Sequence, residues 1–361
     1  MCKQLYSIAL MGLIGCSTHN KVETLIPKHA VVKHVDIAGY TDRYSNLYGK
    51  LEQYPYTCKE DCYPNTDVIE CKSEMESCTY NGSNSSLNLE TGFNVQWLGH
   101  ASFVINTSDG QQFLFDPVSE QFDWPVNWAF KISEGFNRDL PAQITSDVLN
   151  KTNAVMYSHI HYDHFNKDDI AKIGAGPKYL TPLGFAEQFP ENGYEVTEMA
   201  WYASKYIGEV AAHFVPAHHF SSRIWVPFIH EDHNATLWGG WLLEHNDKTL
   251  FFAGDTGYSP HFKDIQQKYG DIDVCLIPIA SYFSEDDPKW YRKVHTTPED
   301  ALQAAKDLNC KVMIPWGYGN ASWKMGDRTS HSALFRLLHM KQRLNSGTPL
   351  YIMNEGDKVD F

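Results

Sequence analysis

Three imidazoles and a carboxylate fall within six residues at His159-Ile160-His161-Tyr162-Asp163-His164. Nitrogen and carboxylate donors of this kind suit zinc, and also iron or manganese. The apolar run Ala154-Val155-Met156-Tyr157 predicts a short buried strand that feeds straight into the cluster. On an extended segment His159 and His161 point to the same side, so both reach one ion. Asp163 and His164, beyond a bend, reach a second. A lone histidine is ordinarily a solvated side chain. Four such groups behind a buried strand are different, because without a metal their unpaired polar atoms would cost on the order of several kcal/mol.

Other segments must bring the remaining donors to this cluster. Val95 to Ile105, the Ser108-Asp109-Gly110 turn and Phe113-Leu114-Phe115 read as a β-hairpin ending at Asp116-Pro117. The pattern recurs from Leu237 to Glu244, through an Asn246-Asp247 turn, to Leu250-Phe251-Phe252 and Asp255. Each copy is strand, tight turn, strand, then an acid at the strand end. Two related halves, each giving a sheet, suit an α/β fold with two sheets face to face and helices outside, a four-layer αββα sandwich. A strand-end Asp255 followed by Thr256-Gly257 makes a tight exposed turn where a carboxylate can face a metal. Thr297 predicts a helix N-cap, with Pro298 at the first helical position and Glu299 and Asp300 in the first turn. Val274 to Ile279 and Val312 to Ile314 read as interior strands.

The H-x-H-x-D-H motif resembles that of the metallo-β-lactamase superfamily. Further segments are similar to its branch of N-acyl-phosphatidylethanolamine-hydrolysing phospholipases D and their bacterial relatives. They are Trp97-Leu98-Gly99-His100-Ala101-Ser102, Val215-Pro216-Ala217-His218-His219, Trp238-Gly239-Gly240-Trp241, Phe252-Ala253-Gly254-Asp255-Thr256-Gly257-Tyr258 and His295-Thr296-Thr297-Pro298-Glu299-Asp300-Ala301. The resemblance runs from about residue 93 to residue 320. It implies that His159, His161 and His219 hold one metal, and that Asp163, His164 and His295 hold the other, with Asp255 between them. His219 rather than His218 follows the family's Pro-Ala-x spacing, which leaves His218 a supporting role. Asp116 is expected to orient a ligand histidine, and His100 and Trp316 to line the pocket. The chain departs from the branch at Pro315-Trp316-Gly317, where relatives carry a His before Trp-Gly, and at an insertion of Phe283-Ser284-Glu285-Asp286-Asp287. Both changes lie where a substrate pocket would be shaped.

The 361-residue chain is 43 % hydrophobic and 14 % aromatic, enough for a large core, and its formal net charge is −14. That charge repels polyphosphate and argues against a nucleic-acid partner. Lys3, the apolar run from Leu5 to Ile14 and Leu13-Ile14-Gly15-Cys16 read as a lipoprotein signal, too short to span a bilayer. Residues 1–15 are thus expected to be removed and Cys16 lipidated. Residues 16–50 would be a tether, 51–92 a Cys-rich appendage, and 93–361 the catalytic domain. Ser17 after Cys16 is the family's cue for the outer membrane, facing the periplasm. Cys58, Cys62, Cys71 and Cys78 lack zinc-ribbon spacing and suit two disulfides in an oxidising compartment, with three pairings open. Cys275 and Cys310 read as separate core residues.

The expected function is a hydrolase with two Zn²⁺ (iron or manganese in their place) acting on N-acyl phosphatidylethanolamines through a metal-bridging hydroxide. Asp163 would orient that hydroxide or relay its proton, and Asp255 would bridge the metals. Trp124, Trp128 and Phe130 could meet acyl chains, and the membrane would be reached through the lipid anchor. An ester, lactone or amide hydrolase is the enzymatic alternative. A non-catalytic lipoprotein binding module is the alternative of another class, against which the complete donor set argues. Oligomeric state is not legible in the sequence.

Overall fold

A computed structural model describes residues 19–27, 48–72, 77–84, 89–119, 144–191, 193–226, 230–232, 235–283, 289–320 and 329–361. Its strands begin with β1 (Lys21–Leu25), β2 (Ile69–Cys71), β3 (Cys78–Tyr80), β4 (Phe93–Gly99), β5 (Ser102–Thr107), β6 (Gln112–Phe115), β7 (Ala154–Met156), β8 (Lys178–Pro182) and β9 (Glu195–Met199). They continue as β10 (Ser204–Ile207), β11 (Val210–Val215), β12 (Arg223–Val226), β13 (His230–Asp232), β14 (Gly240–His245), β15 (Lys248–Phe252), β16 (Val274–Pro278), β17 (Val312–Trp316) and β18 (Lys358–Asp360). The described helices are α1 (Ser146–Lys151), α2 (Lys167–Ile173), α3 (His261–Tyr269), α4 (Pro298–Asp307) and α5 (Ser332–Arg343).

Two hairpins seed two sheets. Gly110, at a φ of 85°, lets the Asp109-Gly110 turn fold β6 back on β5. Asn246 and Asp247, at φ of 51° and 58°, do the same for β14 and β15. These left-handed turns match the twist of the strands they join. Around the first hairpin grows an eight-stranded sheet in the order β1-β9-β8-β7-β6-β5-β4-β18. Around the second grows a six-stranded sheet, β10-β11-β14-β15-β16-β17.

Strand alternation then builds the layers. Phe103, Ile105, Phe113, Phe115 and Met156 share one core with Phe214, Trp241 and Phe252 of the second sheet. Val104, Leu114, Val155 and Tyr179 turn the other way, onto Val148 of α1 and Ile170 of α2. Phe262, Ile265, Ala301, Ala305, Leu334 and Leu337 of α3, α4 and α5 join the main core at the second sheet. The result is the expected α/β sandwich of two mixed sheets flanked by helices. Helix α4 starts as its sequence reads, with the Thr297 hydroxyl accepting from the Asp300 N–H.

The structure differs from expectation in four places. Val95–Ile105 is not one strand: it breaks at Gly99 (φ 110°) and His100 (φ 47°), so β4 and β5 pair as a hairpin. Part of the expected tether is an edge strand, because β1 pairs in parallel with all of β9 and satisfies backbone groups an edge would leave bare. Residues 16–18 and 28–47 of that tether, Cys16 among them, lie outside the described residues. The Cys-rich segment is no appendage: Cys58, Ile69 and Cys78 belong to the main core. Its disulfides pair Cys58 with Cys62 and Cys71 with Cys78. Cys275 and Cys310 are core residues as expected, but they bond to each other, fastening β16 to the turn after α4. The aromatic stretch Trp124, Trp128 and Phe130 and residues 284–287 of the insertion lie outside the described residues.

His331 caps α5 from a buried position beside Tyr318, its ring centroid 5.1 Å from the phenol. Burial pushes this imidazole down to about 4 from its ordinary 6.5. An unfolded chain therefore binds a proton at His331 that the folded chain refuses, so stability contributed by this site is present above pH 6.5 and is lost as pH falls toward about 4. His331→Gln should remove up to about 3 kcal/mol of this acid sensitivity. Urea denaturation at pH 7.5 and pH 5 checks it; an equal pH slope in both proteins would contradict the assignment.

Candidate metal centre

Several strands of the two sheets end at one edge, and the residues just beyond them carry the donors. Strand β6 runs into Asp116, β7 into Ser158 and His159, β11 into His219 and β15 into Asp255, while β17 ends at Trp316. His295 arrives on the loop between β16 and α4. The chain reverses after His161, whose carbonyl accepts from the N–H groups of His164 and Phe165, and this swings Asp163 and His164 back toward the same space. The Asp255 turn comes close because residue 257 is a glycine. A Cβ there would lie 1.9 Å from the Lys293 carbonyl oxygen, so only glycine lets this turn rest against the His295 loop.

All seven residues expected to hold metal converge. His159 Nε2 lies 2.9 Å and His219 Nε2 3.1 Å from His161 Nδ1. Zinc–nitrogen bonds in a tetrahedron set ligand nitrogens about 3.3 Å apart, close to these spacings. Asp255 Oδ2 lies 3.3 Å from both His164 Nε2 and His295 Nε2, and 3.9 Å from His219 Nε2. Asp163 Oδ2 lies 3.5 Å from His164 Nε2. Compact triplets are His159, His161 and His219; His219, Asp255 and His295; and His100, Asp163 and His164. His295 forms a triplet with His219 and Asp255, and Asp255 reaches both His164 and His295.

The outward nitrogens of His159, His164, His219 and His295 are tied down. The buried Asp116 carboxylate accepts from the Ser158 N–H at 2.6 Å, the Ser158 hydroxyl at 2.5 Å and His164 Nδ1–H at 2.7 Å. The Ser158 oxygen in turn accepts from His159 Nδ1–H at 2.9 Å. His219 Nδ1–H donates to the Val294 carbonyl at 2.9 Å, and His295 Nδ1–H to the Ser281 carbonyl. Each tie leaves the other nitrogen of the ring for the centre. His164 Nε2 is left buried with no hydrogen-bond partner among the described residues. An orphaned buried nitrogen facing carboxylates fits a divalent cation.

Electrostatics agree with that donor set. Burial pushes His159 and His219 well below the ordinary imidazole value and His161 to about 4, which keeps them neutral as ligands must be. Burial also opposes charge on Asp163 and Asp255, but the neighbouring His164 outweighs it and holds both carboxyls well below the usual range. At His164 burial is outweighed by Asp255, Asp163 and Asp116, which raise it well above the ordinary value. The carboxylates therefore demand positive charge in the pocket.

The supporting residues divide. His100 sits at the β4–β5 turn and donates from Nε2 to Asp163 Oδ2 at 2.8 Å, so it contacts a proposed ligand rather than only lining a pocket. Trp316 is buried with its ring 6.3 Å from that of His100 and 6.4 Å from that of His164. His218 stands apart: its N–H donates to Thr256 and its ring to the Lys293 carbonyl. Sequence reasoning missed Ser158, and it missed Arg223. That guanidinium is buried, donates to the Ile160 carbonyl at 2.8 Å and stacks 4.3 Å from the centroid of the Tyr162 ring, bracing the motif from beneath. Neither carries a local signal, since a Ser or Arg between turns has many ordinary roles. At the open side Phe220 is 38 % exposed, with its ring 4.5 Å from that of His161.

A profile of the beta-lactamase superfamily domain matches residues 111–318. The N-acyl-phosphatidylethanolamine-hydrolyzing phospholipase D 1 of Caenorhabditis elegans is 30 % identical over 245 residues, 63 % of this chain and 65 % of that protein. A metal-dependent hydrolase of Thermodesulfovibrio yellowstonii is 30 % identical over 239 residues, 62 % of this chain and 78 % of that protein. This chain's matches span 58–65 % of the length of the first curated relatives. Among solved structures, a possible metal-dependent hydrolase from Veillonella parvula superposes with a TM-score of 0.57 at 13 % identity, over 75 % of this chain and all of that one.

Replacing Asp116 by Asn keeps its shape but removes the charge that orients His159 and His164. Zinc affinity should fall about 10–100-fold, the usual effect of losing such a partner. Equilibrium dialysis with elemental analysis measures it, with His159→Ala and Asp255→Asn beside it. Unchanged metal content in those two variants would mean that the centre is wrongly placed.

Proposed function

The chain belongs to the beta-lactamase superfamily, and from that premise we propose that it is a metal-dependent phosphodiesterase of phospholipase D type acting on N-acyl phosphatidylethanolamines. The observation that carries the reading is the convergence of His159, His161, Asp163, His164, His219, Asp255 and His295 on one pocket. The phospholipid part rests on the likeness to the nematode enzyme.

His159, His161 and His219 would hold one ion, and Asp163, His164 and His295 would contribute to a second, with Asp255 shared. Two divalent cations so held supply an acidified water and a clamp for the oxygens of the scissile group. Asp163 keeps one oxygen on His100, which fixes the carboxylate where it would orient the attacking water or relay its proton. Trp316 and the rings of His100 and His164 wall the inner side against bulk water. Phe220, 38 % exposed and with its ring 4.5 Å from that of His161, offers apolar surface near the mouth for the rest of the substrate. Zinc is the first choice of metal, with iron or manganese compatible with the same donors.

A second reading, hydrolysis of a lactone, ester or amide, is favoured by one observation. The end of β17 carries Pro315-Trp316, both buried, where the phospholipase branch carries a histidine, so the pocket wall differs from that branch. We also propose that the body is exported and held by a lipid on Cys16, at the outer membrane facing the periplasm. Among the described residues no helix is long and apolar enough to cross a membrane.

Metal-loaded full-length protein, given mixed micelles of different lipid classes, should release phosphatidic acid from N-acyl phosphatidylethanolamine. No turnover across pH 5–9 with zinc, iron and manganese would sink the phospholipase assignment, and faster turnover of lactones than of aryl phosphodiesters would favour the second reading. Palmitate labelling in a bacterial host should be lost in Cys16→Ala; a wild-type protein that takes up no label refutes the anchor.

A further inference from the structure

The donor His295 is set by the loop it stands on. Its ring donates to the Ser281 carbonyl, and its backbone N–H donates to the Tyr291 carbonyl at 2.9 Å. Tyr291 N–H in turn donates to the Tyr282 carbonyl at 2.8 Å. Fixing Tyr282 and the residues around Arg292 therefore fixes His295.

Both are gripped by one stretch of the N-terminal segment, residues 54–63, within which the Cys58–Cys62 disulfide closes residues 58–62 into a small ring. The Tyr63 hydroxyl lies 2.9 Å from that of Tyr282. The Arg292 guanidinium donates to Thr57 Oγ1 at 2.8 Å and to the Tyr56 carbonyl, and it stacks 3.9 Å from the Tyr54 ring centroid. A second buried arginine, Arg336, joins the two sides. It pairs with Glu299 at 2.6 Å and donates to the Tyr63 hydroxyl at 3.1 Å. Glu299 Oε1 also accepts from the Cys58 N–H at 3.2 Å. Buried ion pairs of this kind hold their geometry because breaking one leaves an uncompensated charge in a low dielectric.

We propose that the segment of residues 54–63, clasped by the Cys58–Cys62 disulfide, is a positioning element for the metal site on the His295 side. Tyr63 and Arg292 are its positioning residues; neither touches the reacting atoms. The inference rests on the reading of the pocket as a two-ion site, and it is independent of the substrate. It also makes the effect asymmetric. His159 is held by Ser158 and Asp116, which belong to other segments, whereas His219 meets the His295 loop through the Val294 carbonyl. Loosening the loop should therefore weaken the two ions unequally.

Cobalt titration of the full chain, followed by its visible absorption bands and by elemental analysis, resolves the two affinities. Two ions bound by the wild type would sustain the underlying reading, and fewer than two would fail that reading separately. Cys58→Ser/Cys62→Ser should weaken the His295-side ion about 10–100-fold relative to the other, and Tyr63→Phe should weaken it less. Cys71→Ser/Cys78→Ser loosens the same segment away from Tyr282 and Arg292, and should leave the ratio of affinities unchanged. Tyr63→Phe removes one oxygen, so it keeps the test open if the double cysteine variant does not fold. An unaltered ratio in both Tyr63→Phe and the Cys58/Cys62 variant, or the same change in the Cys71/Cys78 variant, overturns the proposal.

Discussion

The centre depends on one buried carboxylate. Asp116 lies at the end of β6, with its backbone N–H on the Met156 carbonyl of β7, and it receives three hydrogen bonds from the segment that opens the histidine motif. A fully buried carboxylate is costly unless donors surround it. Here those donors are the groups whose orientation matters. Ser158 passes the constraint to His159, and His164 takes it directly, so one charge aims a histidine on each side of the pocket. The left-handed φ of 38° at Asp116 is a local strain that this network holds in place.

Around that point the two sheets act as a frame. Parallel strands β6, β7, β15, β16 and β17 end at the same edge, so the loops that follow them meet without long excursions. The close approach at Gly257 and the carbonyls of Ser281, Lys293 and Val294 then knit the Asp255 turn to the His218-His219 and His295 segments. Backbone carbonyls suit this task because they accept from an imidazole N–H and bring no charge of their own.

Much of this was legible beforehand for physical reasons. Glycine, Asn and Asp at turns, the apolar runs of β5 and β6, and the Thr297-Pro298 helix start are local properties, and local properties are written in neighbouring residues. The donors were legible because few other arrangements explain H-x-H-x-D-H behind an apolar strand. The break at Gly99-His100 was missed because both halves are apolar, so the pattern continues across the turn. The bond between Cys275 and Cys310 and the docking of residues 51–92 were missed because their partners lie far along the chain.

The sequence by itself determined the kind of chemistry, the residues able to do it and the layered class of fold. Composition, spacing and turn residues suffice for those, since each reflects a short-range preference of the backbone or a donor type. Only the tertiary structure decided which nitrogen of each imidazole faces the pocket, that Asp163 is held by His100, and that Asp255 reaches both His164 and His295. Those choices depend on hydrogen-bond partners such as Asp116, Ser281 and Val294. The folded chain alone brings them within 3 Å, and no local pattern encodes such a meeting.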